Sequence, residues 1–99
     1  MPLYVFARFH ARDHAEEKLR RLLADQIAYV RNEPGCLAMD AFGSTRDARL
    51  FFIHSIWADE AAFNVHADID HTGRFLEQVQ TLIDHPLDVS RTLSLSQAP

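Results

Sequence analysis

Glycine is scarce in this chain: Gly35, Gly43 and Gly73 are the three among 99 residues. A phosphate-cradling loop or a dinucleotide fingerprint needs glycines clustered within a few positions, because backbone N–H groups must approach the ligand closely. Nucleotide, NAD and classical flavin sites of those types are excluded. Cysteine is scarcer still. Cys36 stands alone, so no internal disulfide can form, and a reducing cytoplasm is the compartment that fits. It follows Pro34-Gly35 without a basic neighbour in sequence and reads as a buried structural thiol. No G-x-S-x-G elbow is present. Positive charge is also thin, with a formal net charge of −4 and no Lys/Arg run longer than Arg20-Arg21. Nucleic-acid binding rests on a basic footprint, and a membrane-surface patch on a basic cluster, so neither partner is expected. No apolar run approaches the ~18 residues of a transmembrane helix. The N-terminus lacks a basic start before a long apolar core and reads as a strand rather than a signal peptide. Internal repeats and low-complexity segments are absent.

What the chain does have is apolar content. Hydrophobic residues make up 47% of it, enough for the core of one domain, taken as residues 1–99, without disulfides or metal. Leu3–His10 is a strand-like run of Leu, Tyr, Val and Phe. Asp13 with Glu16 forms a capping-box-like start. Leu19, Leu22, Leu23, Ile27 and Val30 then recur at three- and four-residue steps, one face of a helix. Glu16–Arg20 and Glu17–Arg21 are i,i+4 pairs on its wet side, and Pro34-Gly35 stops it. Residues 36–44 form a second, weaker strand, 45–49 a polar hairpin connection, and 50–58 the third and most apolar strand. Asp59 caps a helix reaching about His66. Asp68 to Asp70 can break it, with Asp70 capping a continuation over 71–84 whose buried face is Phe75, Leu76, Val79, Leu82 and Ile83, ended by Pro86. Leu87, Val89, Leu93 and Leu95 alternate with polar residues as a last, half-buried strand, interrupted by Arg91 on its apolar side. Residues 94–99 read as a fraying end.

The order is β-α-β-β-α-β. It predicts an α+β, ferredoxin-like fold: a four-stranded antiparallel sheet with two helices on one face. The first and third strands should be central. Both are apolar on both faces, although a sheet covered on one side should alternate. The open face must pack on something, and a second copy of the same sheet, giving a homodimer, is the simplest candidate.

Six histidines supply candidate bases, since imidazole exchanges a proton near neutral pH. His14 and His85 lie at element ends and read as solvated, while His10 ends the first strand and could face either way. His54 sits within an apolar strand, either as a satisfied buried histidine or as a pocket residue. His66 and His71 are five residues apart, about 140° around an unbroken helix, and so lack the i,i+4 spacing of a helix-borne metal pair. No metal is expected there. A break near Asp68 to Asp70 could still turn both rings toward one cavity. Trp57, Phe63 and Phe75 gather near a strand–helix junction. They are either core or the walls of a dry site for a flat ligand.

Together these residues resemble a known family. Glu33-Pro34-Gly35-Cys36 leads into a strand; a strand ending in Trp57 runs into Asp59-Glu60-Ala61-Ala62-Phe63; His66 and His71 follow. This order and spacing is similar to the antibiotic biosynthesis monooxygenase family of dimeric α+β barrels, over roughly residues 3–95. The resemblance implies dimers with sheets packed face to face. It also implies oxidation of a small phenol- or quinol-like aromatic by O2, with no cofactor and no metal. A deprotonated electron-rich substrate reduces oxygen itself, and the protein supplies a base, a dry pocket and orientation. By that analogy Trp57, Phe63 and Phe75 line the pocket, and His66 or His71, with His54 as a further candidate, is the base or proton donor. Ser55 stands where many relatives carry Glu, and Ile53 where some polyketide oxygenases carry an amide. Relatives that degrade haem use an Asn in the first strand with a Trp and a His; the first strand here has no Asn, and haem binding or degradation stands as a third expectation. The competing expectation is a non-catalytic small-ligand-binding or stress-response dimer of the same fold.

Overall fold

The computed structural model of the protein describes residues 1–96. Four strands, β1 (Leu3–His10), β2 (Cys36–Gly43), β3 (Leu50–Trp57) and β4 (Asp88–Thr92), form one antiparallel sheet in the order β2-β3-β1-β4. The two most apolar strands are central, as the composition predicts. Helix α1 (Glu16–Val30) crosses from β1 to β2. The second crossover consists of two helices, α2 (Glu60–Asp68) and α3 (Asp70–Gln80). The architecture is the expected α+β ferredoxin-like one, with the second crossover helix divided between Asp68 and Asp70, where the sequence allowed a break.

Strict alternation sorts the central strands. Leu3, Val5 and Phe9 of β1 and Phe51, Ile53, Ser55 and Trp57 of β3 are buried toward the helices. The register pairs Val5 with Ser55 and Leu3 with Trp57, so both strands turn these residues to one side. Leu19, Leu23, Ile27 and Val30 of α1, Phe63 of α2, and Phe75 and Val79 of α3 close over them in a single core. Each such burial contributes roughly 1.5–3 kcal/mol. The opposite face carries Phe6, Phe42 and Phe52, which are exposed, beside half-buried Tyr4, His54 and Ile56. The apolar open face read from the sequence is therefore present.

Several local expectations are corrected. Asp13 does not cap α1; Ala15 occupies that position without a side-chain bond. His14 adopts a left-handed φ of 69°, and its N–H donates to Glu16 Oε1 at 3.0 Å, so Glu16 reaches back to the residue before the cap. Arg20 pairs with Glu17, at 3.6 Å, and its guanidinium lies over Phe51. The expected partner Glu16 is the residue already engaged by His14. Asp59 does cap α2, accepting from Ala62 N–H at 2.8 Å. Ile69, extended at ψ 152°, separates α2 from α3. Asp70 is consequently in the first turn of α3 and not its cap.

Helix α3 ends at Gln80, well before Pro86. Thr81 Oγ1 donates to the Gln78 carbonyl, and the chain beyond is drawn onto β1. Arg12 N–H bonds Leu82 O, Asp84 N–H bonds His10 O, and Ala11 bridges Ile83. Leu76, assigned to the buried face, is 37% exposed. The last strand spans only Asp88–Thr92, and Leu93 and Leu95 lie beyond it, exposed. Of the expected fraying tail, residues 97–99 lie outside the described residues. Among the described residues no helix is long and apolar enough to cross a membrane.

Candidate functional site

Between the covered face of the sheet and helices α1–α3 lies a cavity of about 380 Å³, within the range of small-molecule sites. Its walls are mostly apolar, with Val5, Phe9, Met39, Ile53, Phe63 and Phe75 prominent. Five polar side chains interrupt them: Gln26, Ser55, His66, Thr72 and Arg91.

His66 is buried near the end of α2. Its Nδ1 lies 2.9 Å from Glu33 Oε1, with the two side chains only 8% and 12% exposed. Thr72 Oγ1 donates to the His66 carbonyl at 2.6 Å and lies 3.4 Å from Nδ1. Its proton is thus committed, and toward Nδ1 it can only accept. Both neighbours of Nδ1 are acceptors, so the network places the ring proton on Nδ1 and leaves Nε2 with its lone pair. Nε2 has no hydrogen-bond partner among the described residues. Glu33 Oε2 is buried without a partner among them as well, so the carboxylate's polar contact is concentrated on this one imidazole.

The pairing depends on how the loop before β2 docks. Gly35 has φ +85°, and a Cβ built there would sit 2.5 Å from the Ala62 Cβ. Only glycine permits both the left-handed turn and this approach to α2. The Gly35 carbonyl also accepts from Ala58 N–H at 2.8 Å. The Glu33-Pro34-Gly35 segment is thereby held against the strand–helix junction that carries His66.

Trp57 lies behind the cavity wall. It is fully buried, is absent from the lining, and stacks on His66 with centroids 4.8 Å apart and on Phe63 edge to face at 5.6 Å. Its Nε1 donates to Ser55 Oγ at 3.0 Å. That contact uses an acceptor site of Ser55 and leaves the hydroxyl proton available to the cavity. Arg91, the residue that broke the apolar pattern of β4, lies over the Phe63 ring at 4.8 Å. Its Nη1 donates to Asn64 Oδ1 at 2.6 Å and Glu60 Oε2 at 3.1 Å. With the exposed Val89 and Leu76 it forms the rim.

Of the residues singled out in the sequence, the structure brings His66, Phe63 and Phe75 to the cavity, with Trp57 behind His66. His71 is not in the lining. Its ring stacks on Tyr29 with centroids 3.5 Å apart, and its Nε2 is 2.9 Å from Gln26 Oε1. It meets the site only through Gln26, which is itself a wall residue. His54 is on the other side of the sheet, packed on the rings of Phe6 and Tyr4. Asp40, its neighbour across β2, is paired with Arg31 at 2.8 Å. Glu33, Gln26, Thr72 and Arg91 escaped functional assignment. Glu33 was visible only within Glu33-Pro34-Gly35, and Arg91 only as a break in alternation. Cys36 is half-buried, and burial together with the nearby Glu33 charge pushes its thiol pKa up, which suits a structural role.

Residues 2–78 match the sequence profile of the family described as Antibiotic biosynthesis monooxygenase. The chain belongs to that family. Membership, as the sequence resemblance implied, supports a monooxygenase-type function in general terms. Among solved structures, this family member is similar to Rv0793 from Mycobacterium tuberculosis, with 28% identity, full coverage of both chains and a TM-score of 0.91. It is also similar to PA3566 from Pseudomonas aeruginosa, with 29% identity over 96% of this chain and 95% of that one and a TM-score of 0.87. SnoaB, described as a cofactor-independent oxygenase from Streptomyces nogalater, shares the fold with a TM-score of 0.87 at 13% identity, covering 99% and 97% of the two chains. No curated protein matches the chain.

Proposed function

We propose that the cavity oxidises a small aromatic substrate of the phenol, quinol or anthrone type with O2, without a metal or prosthetic group, and that His66 is its base. The supporting observation is the His66–Glu33 pair: a cavity-lining imidazole with Nδ1 held on a carboxylate and Nε2 unbonded. In this reading Nε2 takes the acidic proton of the substrate, and the imidazolium so formed is stabilised by Glu33 beside it, as the acid of a triad stabilises its histidine. The resulting anion is electron-rich enough to reduce O2. For a methylene carbon of an anthrone, two C–H bonds are lost, one oxygen atom becomes the carbonyl, and the other leaves as water with the two hydrogens. Phe63 and Phe75 hold the flat ring, and Ser55 and Gln26 offer hydrogen-bonding groups to its oxygens. The absence of a cofactor is carried over from the description of SnoaB. The exposed Phe6, Phe42 and Phe52 support pairing of two protomers through their open sheet faces.

Oxygen uptake with a panel of anthrones and hydroquinones, measured in the presence of a chelator, tests this. Turnover above background is expected, falling by roughly 10²–10⁴-fold in His66→Ala and Glu33→Gln. No turnover across the panel, or turnover indifferent to both substitutions, overturns the assignment. Ligand binding that persists without turnover would instead establish the binding-protein reading.

A further inference from the structure

At the opposite end of β1 from Leu3, His10, Asp84 and His85 converge, together with Asp47 from the β2–β3 connection. His10 Nδ1 and His85 Nδ1 are each 2.6 Å from the same oxygen, Asp84 Oδ1. His10 Nε2 faces Asp47 Oδ2 at 3.3 Å. The His10 ring therefore lies between two carboxylates, each facing one of its nitrogens. A neutral imidazole carries one N–H and can donate to only one of them. Both carboxylates are satisfied at once by a second proton on the ring, or by a metal ion in place of the Nδ1 proton.

The donor set suits the second choice. One nitrogen or oxygen atom from each of His10, Asp84 and His85 lies within 4.8 Å of the others. Metal bonds of about 2.0 Å in tetrahedral geometry would place such atoms about 3.3 Å apart, so small side-chain rotations suffice. The backbones are already fixed: Asp84 N–H donates to His10 O at 3.1 Å, and Ala11 N–H donates to Arg49 O at 2.7 Å. Asp47 is held too, since its Oδ1 accepts from Arg49 N–H at 2.9 Å, leaving Oδ2 for His10. With a metal on Nδ1, the remaining His10 proton sits on Nε2 and donates to Asp47. That is the carboxylate–histidine–metal relay typical of built sites. Arg49 approaches Asp84 through Oδ2, at 3.9 Å, and leaves Oδ1 to the two imidazoles.

We propose that His10, Asp84 and His85 bind a divalent ion of the zinc class, with Asp47 positioning His10. Two imidazoles and one carboxylate match a borderline ion and not Mg²⁺, which demands oxygen ligands. Three protein ligands leave a coordination position for water. The site lies apart from the cavity, and none of its residues lines it.

Calorimetric titration of untagged, chelator-stripped protein with Zn²⁺, and with Mg²⁺ in parallel, tests the site. One saturable equivalent of Zn²⁺ is expected, with none for Mg²⁺. Binding should be lost in His85→Ala, whose side chain is 60% exposed and so dispensable for folding, and in Asp84→Asn. It should weaken roughly tenfold in Asp47→Asn and persist in His14→Ala and His66→Ala. Absence of saturable Zn²⁺ binding, or binding that survives both His85→Ala and Asp84→Asn, overturns the proposal.

Discussion

The two faces of the sheet meet similar residues, His54 from β3 itself and His66 from α2, and put them to different use. On the covered face an imidazole, His66, meets aromatic rings and a buried carboxylate. On the open face an imidazole, His54, meets aromatic rings, while its carboxylate neighbour Asp40 is taken by Arg31. Both sites are aromatic, and their composition does not distinguish them. The difference is a partner: Glu33 fixes which nitrogen of His66 holds the proton, the condition that the proposed role as a base requires. Burial then keeps that arrangement away from competing water.

Substitution on each face breaks this comparison at its strongest point. His54→Ala should leave oxygen uptake within about twofold of the parent, against the orders of magnitude expected for His66→Ala. Equal losses would erase the distinction between the faces. Stability should divide the same way. Trp57→Ala removes a fully buried ring that carries both the stack on His66 and the bond to Ser55. A loss of about 3–5 kcal/mol is expected in urea unfolding. Phe52→Ala, at a residue 36% exposed, should cost the isolated protomer less than Trp57→Ala, since part of its ring already meets water.

Phe6→Glu sharpens the role of the open face. If two protomers pair there, a charge at this half-exposed position should convert dimer to monomer in sedimentation experiments and leave the far-UV spectrum unchanged.

The smallest effect concerns pH. The imidazoles of His10 and His85, by hydrogen bonding to Asp84, hold its carboxyl at about 2, below its ordinary 3.8. A depressed carboxylate contributes stability that is present above 3.8 and lost as the pH falls toward 2. Urea midpoints measured with chelator between pH 5 and pH 2 should therefore fall less steeply in Asp84→Asn than in the parent.

The sequence carried the sheet more clearly than the site, for a physical reason. Strand order and the two-faced apolarity of Leu3–His10 and Leu50–Trp57 follow from local alternation, which neighbouring residues express. The break at Ile69 was visible through the acidic residues around it. The end of α3 was not, because backbone bonds to the end of β1 and the residues just after it, about 70 positions away, decide it. Site residues behaved likewise. His66 and Phe63 lie on one short helix and could be named together. Glu33 comes to His66 across 33 positions, and His10 to Asp84 across 74, so neither pair leaves a periodic trace. His66 and His71 looked like equals along the chain, but the extended Ile69 sends one ring into the cavity wall and the other outward against Tyr29.

Gly35 carries a last consequence. The distance between the carboxylate and the imidazole is kept by a side chain that is not there. Its missing methyl lets the loop rest on Ala62, and a single added carbon at position 35, or a larger residue at 62, would act as a spacer driven between acid and base. Two positions outside the cavity lining thus act as a vernier on the Glu33–His66 spacing. On the proposed function, chain variation at either one would retune the chemistry while every cavity residue stayed the same.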